Sequence, residues 1–190
     1  MGQESLTLYN KVGNIISTTD FNGEIILYEY NTNNQLTKKL FEDGTSVEFN
    51  YDNVGRLESI VDDRGTTDYT YNERGNLLSR TEPDGKTISY AYNDSGKLES
   101  IITDSQVTSY TYDSFNFLDK VTANGEVTDY DYDVLGNLMQ TTLANGVVET
   151  REYDELYRLI GLDNTDADGN VISSYDYTLD AVGNRTLVGE

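Results

Sequence analysis

Tyrosine followed by Asn or Asp, then by Gly three residues later, recurs along this chain, as in "YDNVGRLESI" from Tyr51, "YNERGNLLSR" from Tyr71 and "YDVLGNLMQ" from Tyr132. Carboxylates set beside phenols could act as acid and base on a glycosidic bond, hold a cation, or offer rings on which sugars stack. The acid-base reading fails on the spelling of the motif. Asp52, Asp113, Asp133 and Asp154 share their slot with Asn10, Asn31, Asn72 and Asn93. An amide can make the same turn hydrogen bond as a carboxylate but cannot donate or take a proton as a general acid does. No pair of acids stands apart from the repeat, so no catalytic residue is assigned and the chain is read as a non-enzyme.

One stretch departs from the rhythm. In "DNTDADGNVISSY", Asn164, Asp166 and Asp168 fall at positions one, three and five of a calcium loop, with Gly169 at six. Position twelve is Tyr175, so the bidentate glutamate of such a loop is missing. An acidic hairpin tip is the plainer reading, weak calcium binding the sharper one, and no other cofactor is implied.

Composition narrows the remaining classes. The 190 residues contain no His, Cys or Trp, and 34 acids against 13 bases leave a net charge of −21. The missing His removes the commonest neutral-pH base and transition-metal ligand; the missing Cys removes disulfides and thiolate sites. A field this negative repels phosphate backbones and anionic lipid heads, which argues against nucleic-acid binding. No run approaches the roughly 20 apolar residues of a spanning helix, so no membrane insertion is expected. The opening stretch "MGQESLTLYNKVGN" lacks the basic-then-apolar pattern of an export signal.

The elements that must carry these residues are set by a period. The phrase begins at Tyr9, Tyr30, Tyr51, Tyr71, Tyr92, Tyr112, Tyr132 and Tyr153, always 20 or 21 residues apart, and a degenerate copy starts at Leu179. Such strict spacing means an array of one supersecondary unit. Gly55, Gly75, Gly96 and Gly136 close the phrase, and a second glycine follows about halfway to the next copy, at Gly23, Gly44, Gly65, Gly85, Gly125, Gly146 and Gly169. In "DNVG", Asp52 can accept from the backbone two residues on, and Gly55 can take the positive φ that ends a type I turn in a bulge. "ANGE" and "ANGV" offer Asn-Gly turns. Asn34 and Asn116 stand in for the phrase glycine, which Asn tolerates. Tyr157 does not suit positive φ, so its turn is expected to be of another type.

Between turns the side chains alternate. "SVEFNY" puts Val47, Phe49 and Tyr51 on one face, and "TISYAY" does the same with Ile88, Tyr90 and Tyr92. The expectation is an all-β fold of about 18 short antiparallel strands, a meander of hairpin repeats with one packed and one wet face. Strand twist would curl it into a β-spiral, barrel or open shell segment. With 36% hydrophobic residues the core should be modest and largely tyrosine. The ladder Tyr30, Tyr51, Tyr71, Tyr92, Tyr112, Tyr132 and Tyr153 would stack ring beside ring and hold one hairpin to the next. Residues 1–190 are read as a single array of about nine repeats without a separate second domain.

The stretch "YDNVGRLESIVDDRGTTDYTYNERGNLLSR" resembles tandem YD-repeats, the modules of bacterial Rhs proteins, insecticidal toxin complexes, wall-associated proteins and animal teneurins. "YDYTLDAVGNRT" is similar to a form such arrays often take near their last copies. The resemblance implies a hairpin ribbon wound into a hollow shell, secreted or at a cell surface, that encloses a C-terminal toxin or scaffolds an adhesion assembly. Relatives that process themselves carry paired Asp-Pro motifs and a catalytic aspartate. The sole proline here follows Glu82, so no protease residue is carried over. The implied partners are the rest of a longer shell polypeptide or its enclosed toxin. Both ends fall mid-array without a capping repeat, so self-association through open strand edges is also expected. The alternative is a carbohydrate- or receptor-binding adhesion module that uses exposed tyrosine rings.

Overall fold

A computed structural model describes residues 5–189. The chain divides into two compact units, Met1–Tyr90 and Ala91–Glu190. The first holds β1 (Leu6–Tyr9), β2 (Ile15–Thr19), β3 (Ile25–Tyr30), β4 (Leu36–Phe41), β5 (Ser46–Tyr51), β6 (Leu57–Asp62), β7 (Gly65–Tyr71) and β8 (Leu77–Thr81). Strand β9 (Thr87–Tyr92) carries the boundary. The second unit continues with β10 (Leu98–Ile102), β11 (Val107–Tyr112), β12 (Leu118–Ala123), β13 (Glu126–Tyr132), β14 (Leu138–Thr142), β15 (Val148–Tyr153), β16 (Leu159–Thr165), β17 (Val171–Leu179) and β18 (Arg185–Gly189). The all-β antiparallel hairpin meander expected from the 20-residue period is the observed fold. No helix is long and apolar enough to cross a membrane among the described residues.

Within each unit, strands pair with their sequence neighbours, as in β5 with β6 and β15 with β16. The phrase tyrosine sits at a register shift: Asn50 opposes Ser59, whereas Tyr51 opposes Leu57. The same slip occurs at Tyr71, Tyr112, Tyr132 and Tyr153. Each slip is a bulge that absorbs the extra residue of the turn, so the bulged strand bends and the ladder resumes in register beyond it.

The alternation is clearest in β3, where Ile26, Tyr28 and Tyr30 are half-buried while Ile25, Leu27 and Glu29 are exposed. The expected core is not found: no hydrophobic side chain is fully buried among the described residues, and Thr67 is the buried polar residue. The reason is topological. Element contacts run between consecutive strands, so within a unit no second layer presses on the apolar face.

Candidate functional site

The repeated phrase builds a turn whose bonds close on themselves. Asp52 N–H donates to the Arg56 carbonyl at 2.8 Å, and Gly55 N–H returns to the Asp52 carbonyl at 2.9 Å. The Asp52 carboxylate accepts from Val54 N–H at 3.0 Å and from Arg56 N–H at 2.8 Å through one oxygen. Its other oxygen takes the Arg56 guanidinium at 2.6 Å. Asn72 accepts the same two backbone donors, from Arg74 at 3.0 Å and Asn76 at 2.9 Å, so the amide does the carboxylate's work in the turn.

These bonds favour the ionised acid. Hydrogen bonds from Arg56 and Arg158 backbone N–H groups hold Asp52 and Asp154 below the usual carboxylate range. For Asp133, Asp166 and Asp180 the largest cause is the side-chain amide four residues on, from Asn137, Asn170 and Asn184.

The thirteen glycines of the two turn slots all have positive φ. At Gly136 space is as restrictive as conformation. Its φ is +90°, and a Cβ there would lie 2.5 Å from Cζ of Phe117. Asn34 and Asn116 take positive φ as expected, at 60° and 70°. Tyr157 departs from expectation: its φ is 58°, and its turn keeps the common bonding, with Tyr157 N–H on the Asp154 carbonyl at 2.9 Å. The bonds around the loop outweigh the residue's own preference. The two Asn-Gly sites also diverge. Asn124 and Gly125 both have positive φ in a two-residue loop between paired Ala123 and Glu126. In "ANGV", Gly146 N–H instead closes on the Leu143 carbonyl at 2.9 Å, as the phrase turns do.

Neighbouring hairpins are joined by two sets of bonds that sequence reasoning missed. The first uses the phrase tyrosines. Tyr30 hydroxyl donates to the Ile15 carbonyl at 2.8 Å, Tyr51 to Leu36 at 2.8 Å and Tyr71 to Leu57 at 2.9 Å. In the second unit Tyr112 donates to Leu98 at 2.8 Å and Tyr153 to Leu138 at 3.0 Å. The acceptor is always the residue that opens the strand after the preceding phrase. Partial burial raises the phenols of Tyr51 and Tyr71, and that of Tyr132, above their ordinary range. Ring-on-ring contact is much rarer than expected, with Phe117 and Tyr132 stacked at 5.1 Å between centroids.

The second set starts from the residue after the phrase glycine. Gln35 amide donates to the Gly55 carbonyl at 2.7 Å, Arg56 to the Asn72 carbonyl at 3.0 Å and Arg158 to the Asp180 carbonyl at 2.9 Å. Lys97 reaches the Asn116 carbonyl likewise. Arg56 and Lys97 also lie over the rings of Tyr71 and Tyr112, at 4.9 Å and 4.6 Å from the centroids. Phe117 occupies this slot as a ring, under Gly136 and against Tyr132. The sequence signal was weak, since the slot mixes Gln35, Arg56, Lys97 and Arg158 with asparagines and Phe117, and the partner lies about twenty residues downstream.

The calcium candidates take structural partners. Asn164 lies in β16 with its amide donating to Ser173 hydroxyl at 3.0 Å. Asp166 caps the following turn: one oxygen accepts from Asp168 and Asn170 N–H groups, the other from the Asn170 amide.

A repeat of this construction defines a class as well as a fold, and the sequence comparison agrees. The RHS Repeat family matches residues 30–67, 71–106, 118–148 and 132–164, more than half of the chain, and the chain belongs to that family. Among solved structures it is similar to the crystal structure of TcdB2-TccC3-Cdc42, at 19% identity with a TM-score of 0.78 over 97% of this chain. TcdB2-TccC3 without its hypervariable C-terminal region gives 18% identity, a TM-score of 0.78 and 97% coverage of this chain. The Photorhabdus luminescens Tc holotoxin pore bearing a TccC3 point mutation gives 16%, 0.60 and 97%. The chain spans 11% of the length of the first two of those chains and 12% of the third, and the likeness is one of fold. No curated protein sequence matches the chain.

Proposed function

We propose that the chain is a non-catalytic structural segment of an Rhs-type shell, secreted or surface-exposed, which encloses or scaffolds a toxin or cell-surface assembly. The observation that carries this reading is the recurrence of one bond, phenol hydroxyl to the carbonyl that opens the strand after the preceding phrase, in both units. A residue repeated for that purpose is masonry. The phrase glycines Gly55, Gly75, Gly96 and Gly136 serve the same end by admitting the turn. The resolved aspartate shifts are all downward, the opposite of what a general acid working near neutrality needs. The partner would be the rest of a longer shell polypeptide or an enclosed toxin, a reading supported by chains of similar fold that belong to TcdB2-TccC3 and Tc holotoxin assemblies.

A glycan platform is less well supported. Tyr9 and Tyr157 are the exposed tyrosines among the described residues, at 60% and 56%, and they belong to different units. Limited proteolysis tests the enclosing role. A segment encoded in the same reading frame as the array should resist protease while the array is folded and be cut once it is unfolded. Equal cleavage rates in both states would exclude enclosure.

A further inference from the structure

In the second unit, four consecutive phrase turns raise bulky apolar side chains at their tips: Phe115, Leu135 with Val134, Leu156 with Tyr157, and Val182. All are exposed, Val134 at 90% and Val182 at 83%. Turn chemistry does not ask for them, because these positions favour Gly, Asn, Asp and Ser. In the first unit the equivalent tips are mixed, exposed Val12 and Val54 alternating with polar Asn33 and Arg74, so the unbroken run of apolar tips belongs to the second unit. The tips follow one another along one edge of the meander, since the hairpins pair in sequence order. At about 4.8 Å per strand, four tips extend over roughly 30 Å. Arg158 fixes the last two turns together through the Asp180 carbonyl at 2.9 Å.

Tyr157 adds an independent sign. It holds positive φ at 58° where sister copies use Gly or Asn, and it spends that strain on a ring that is 56% exposed. Strain kept at an exposed aromatic points toward function, not fold.

We infer that this edge of the second unit is a docking surface for a protein segment that is apolar at its centre and ringed by Lys or Arg. The apolar tips supply the contact, as exposed contiguous apolar surface generally does. Charge decides the kind of partner: Asp113, Asp133, Glu155 and Asp180 lie among the tips of a chain whose net charge is −21, while Asp154 is paired with Arg158 at 2.7 Å. A second copy would bring like charge to like charge and is disfavoured.

The probe is a fluorescently labelled 14-residue amphipathic peptide of leucine and lysine, followed by anisotropy with the full chain. Leu135→Ser/Leu156→Ser should weaken binding at least tenfold, and an oligolysine peptide of equal charge should bind at least tenfold more weakly than the amphipathic one. Tyr157→Gly separates docking from folding: it should raise the melting temperature while weakening the peptide severalfold. Binding within twofold of wild type in the Leu variant, equal binding of oligolysine, or a dimer that Leu156→Ser dissolves would each overturn the inference.

Discussion

A phenol that donates to a carbonyl in the preceding repeat does two things a stacked ring could not. It satisfies a strand-opening acceptor just beyond a turn, and it fixes how far one hairpin slides along the next. Replacing Tyr71 or Tyr112 by Phe keeps the ring and removes the bond to Leu57 or Leu98. Each change should cost about 1 kcal/mol, the usual net worth of such a hydrogen bond. Urea denaturation of the single variants measures it, and a loss below about 0.3 kcal/mol would mean that the ring alone holds the hairpins. The position of these tyrosines was legible in the sequence because the period is strict. Their partner was not, since it lies 14 or 15 residues back and depends on the stagger between hairpins. Distance hid the bridges from Gln35, Arg56 and Arg158 as well, whose partners lie 16 to 22 residues ahead.

For the single hairpin, local chemistry was the best guide. Asx at the first turn position and Gly at the fourth predicted both the capping bonds and the sign of φ, because both are settled within five residues. Tyr157 shows the limit: residue preference argued for another turn, and the bonds that Asp154 accepts from Leu156, Tyr157 and Arg158 N–H groups imposed the common one. The capped aspartates also make the turns sensitive to acid. Their folded pKa values are depressed, so the stability they contribute is fully present above the ordinary Asp range near 4 and is lost as pH falls through the lower folded values. Asp133→Asn/Asp166→Asn/Asp180→Asn keeps an oxygen for the backbone donors, as Asn72 does, while removing the titration. The triple variant should therefore show a flatter fall in melting temperature between about pH 5 and 2 than wild type. Parallel acid limbs would show that the turns are not what acid breaks.

Across the whole molecule, stability is spread thinly. Without a fully buried hydrophobic side chain among the described residues, no single core substitution can dominate, and the many hairpin bonds carry the fold together. The sequence reading expected a tyrosine-rich core because alternation shows which face is apolar but not whether anything covers it. A net charge of −21 works against such a fold by self-repulsion. Raising NaCl from 20 to about 500 mM shortens the range of that repulsion severalfold and should raise the melting temperature by several degrees. A flat or falling melting temperature would mean that the cation contacts of residues such as Arg56 and Lys97 outweigh the repulsion.

That the bonded phrase phenols answer to the copy before them has a genetic corollary. Unequal crossing-over that adds or drops a whole 20- or 21-residue module leaves every remaining donor with an acceptor, whereas an indel of one or two codons between a phenol and its carbonyl breaks the spacing of that pair. Arrays of this kind should therefore vary in length among strains by whole modules while their spacing holds.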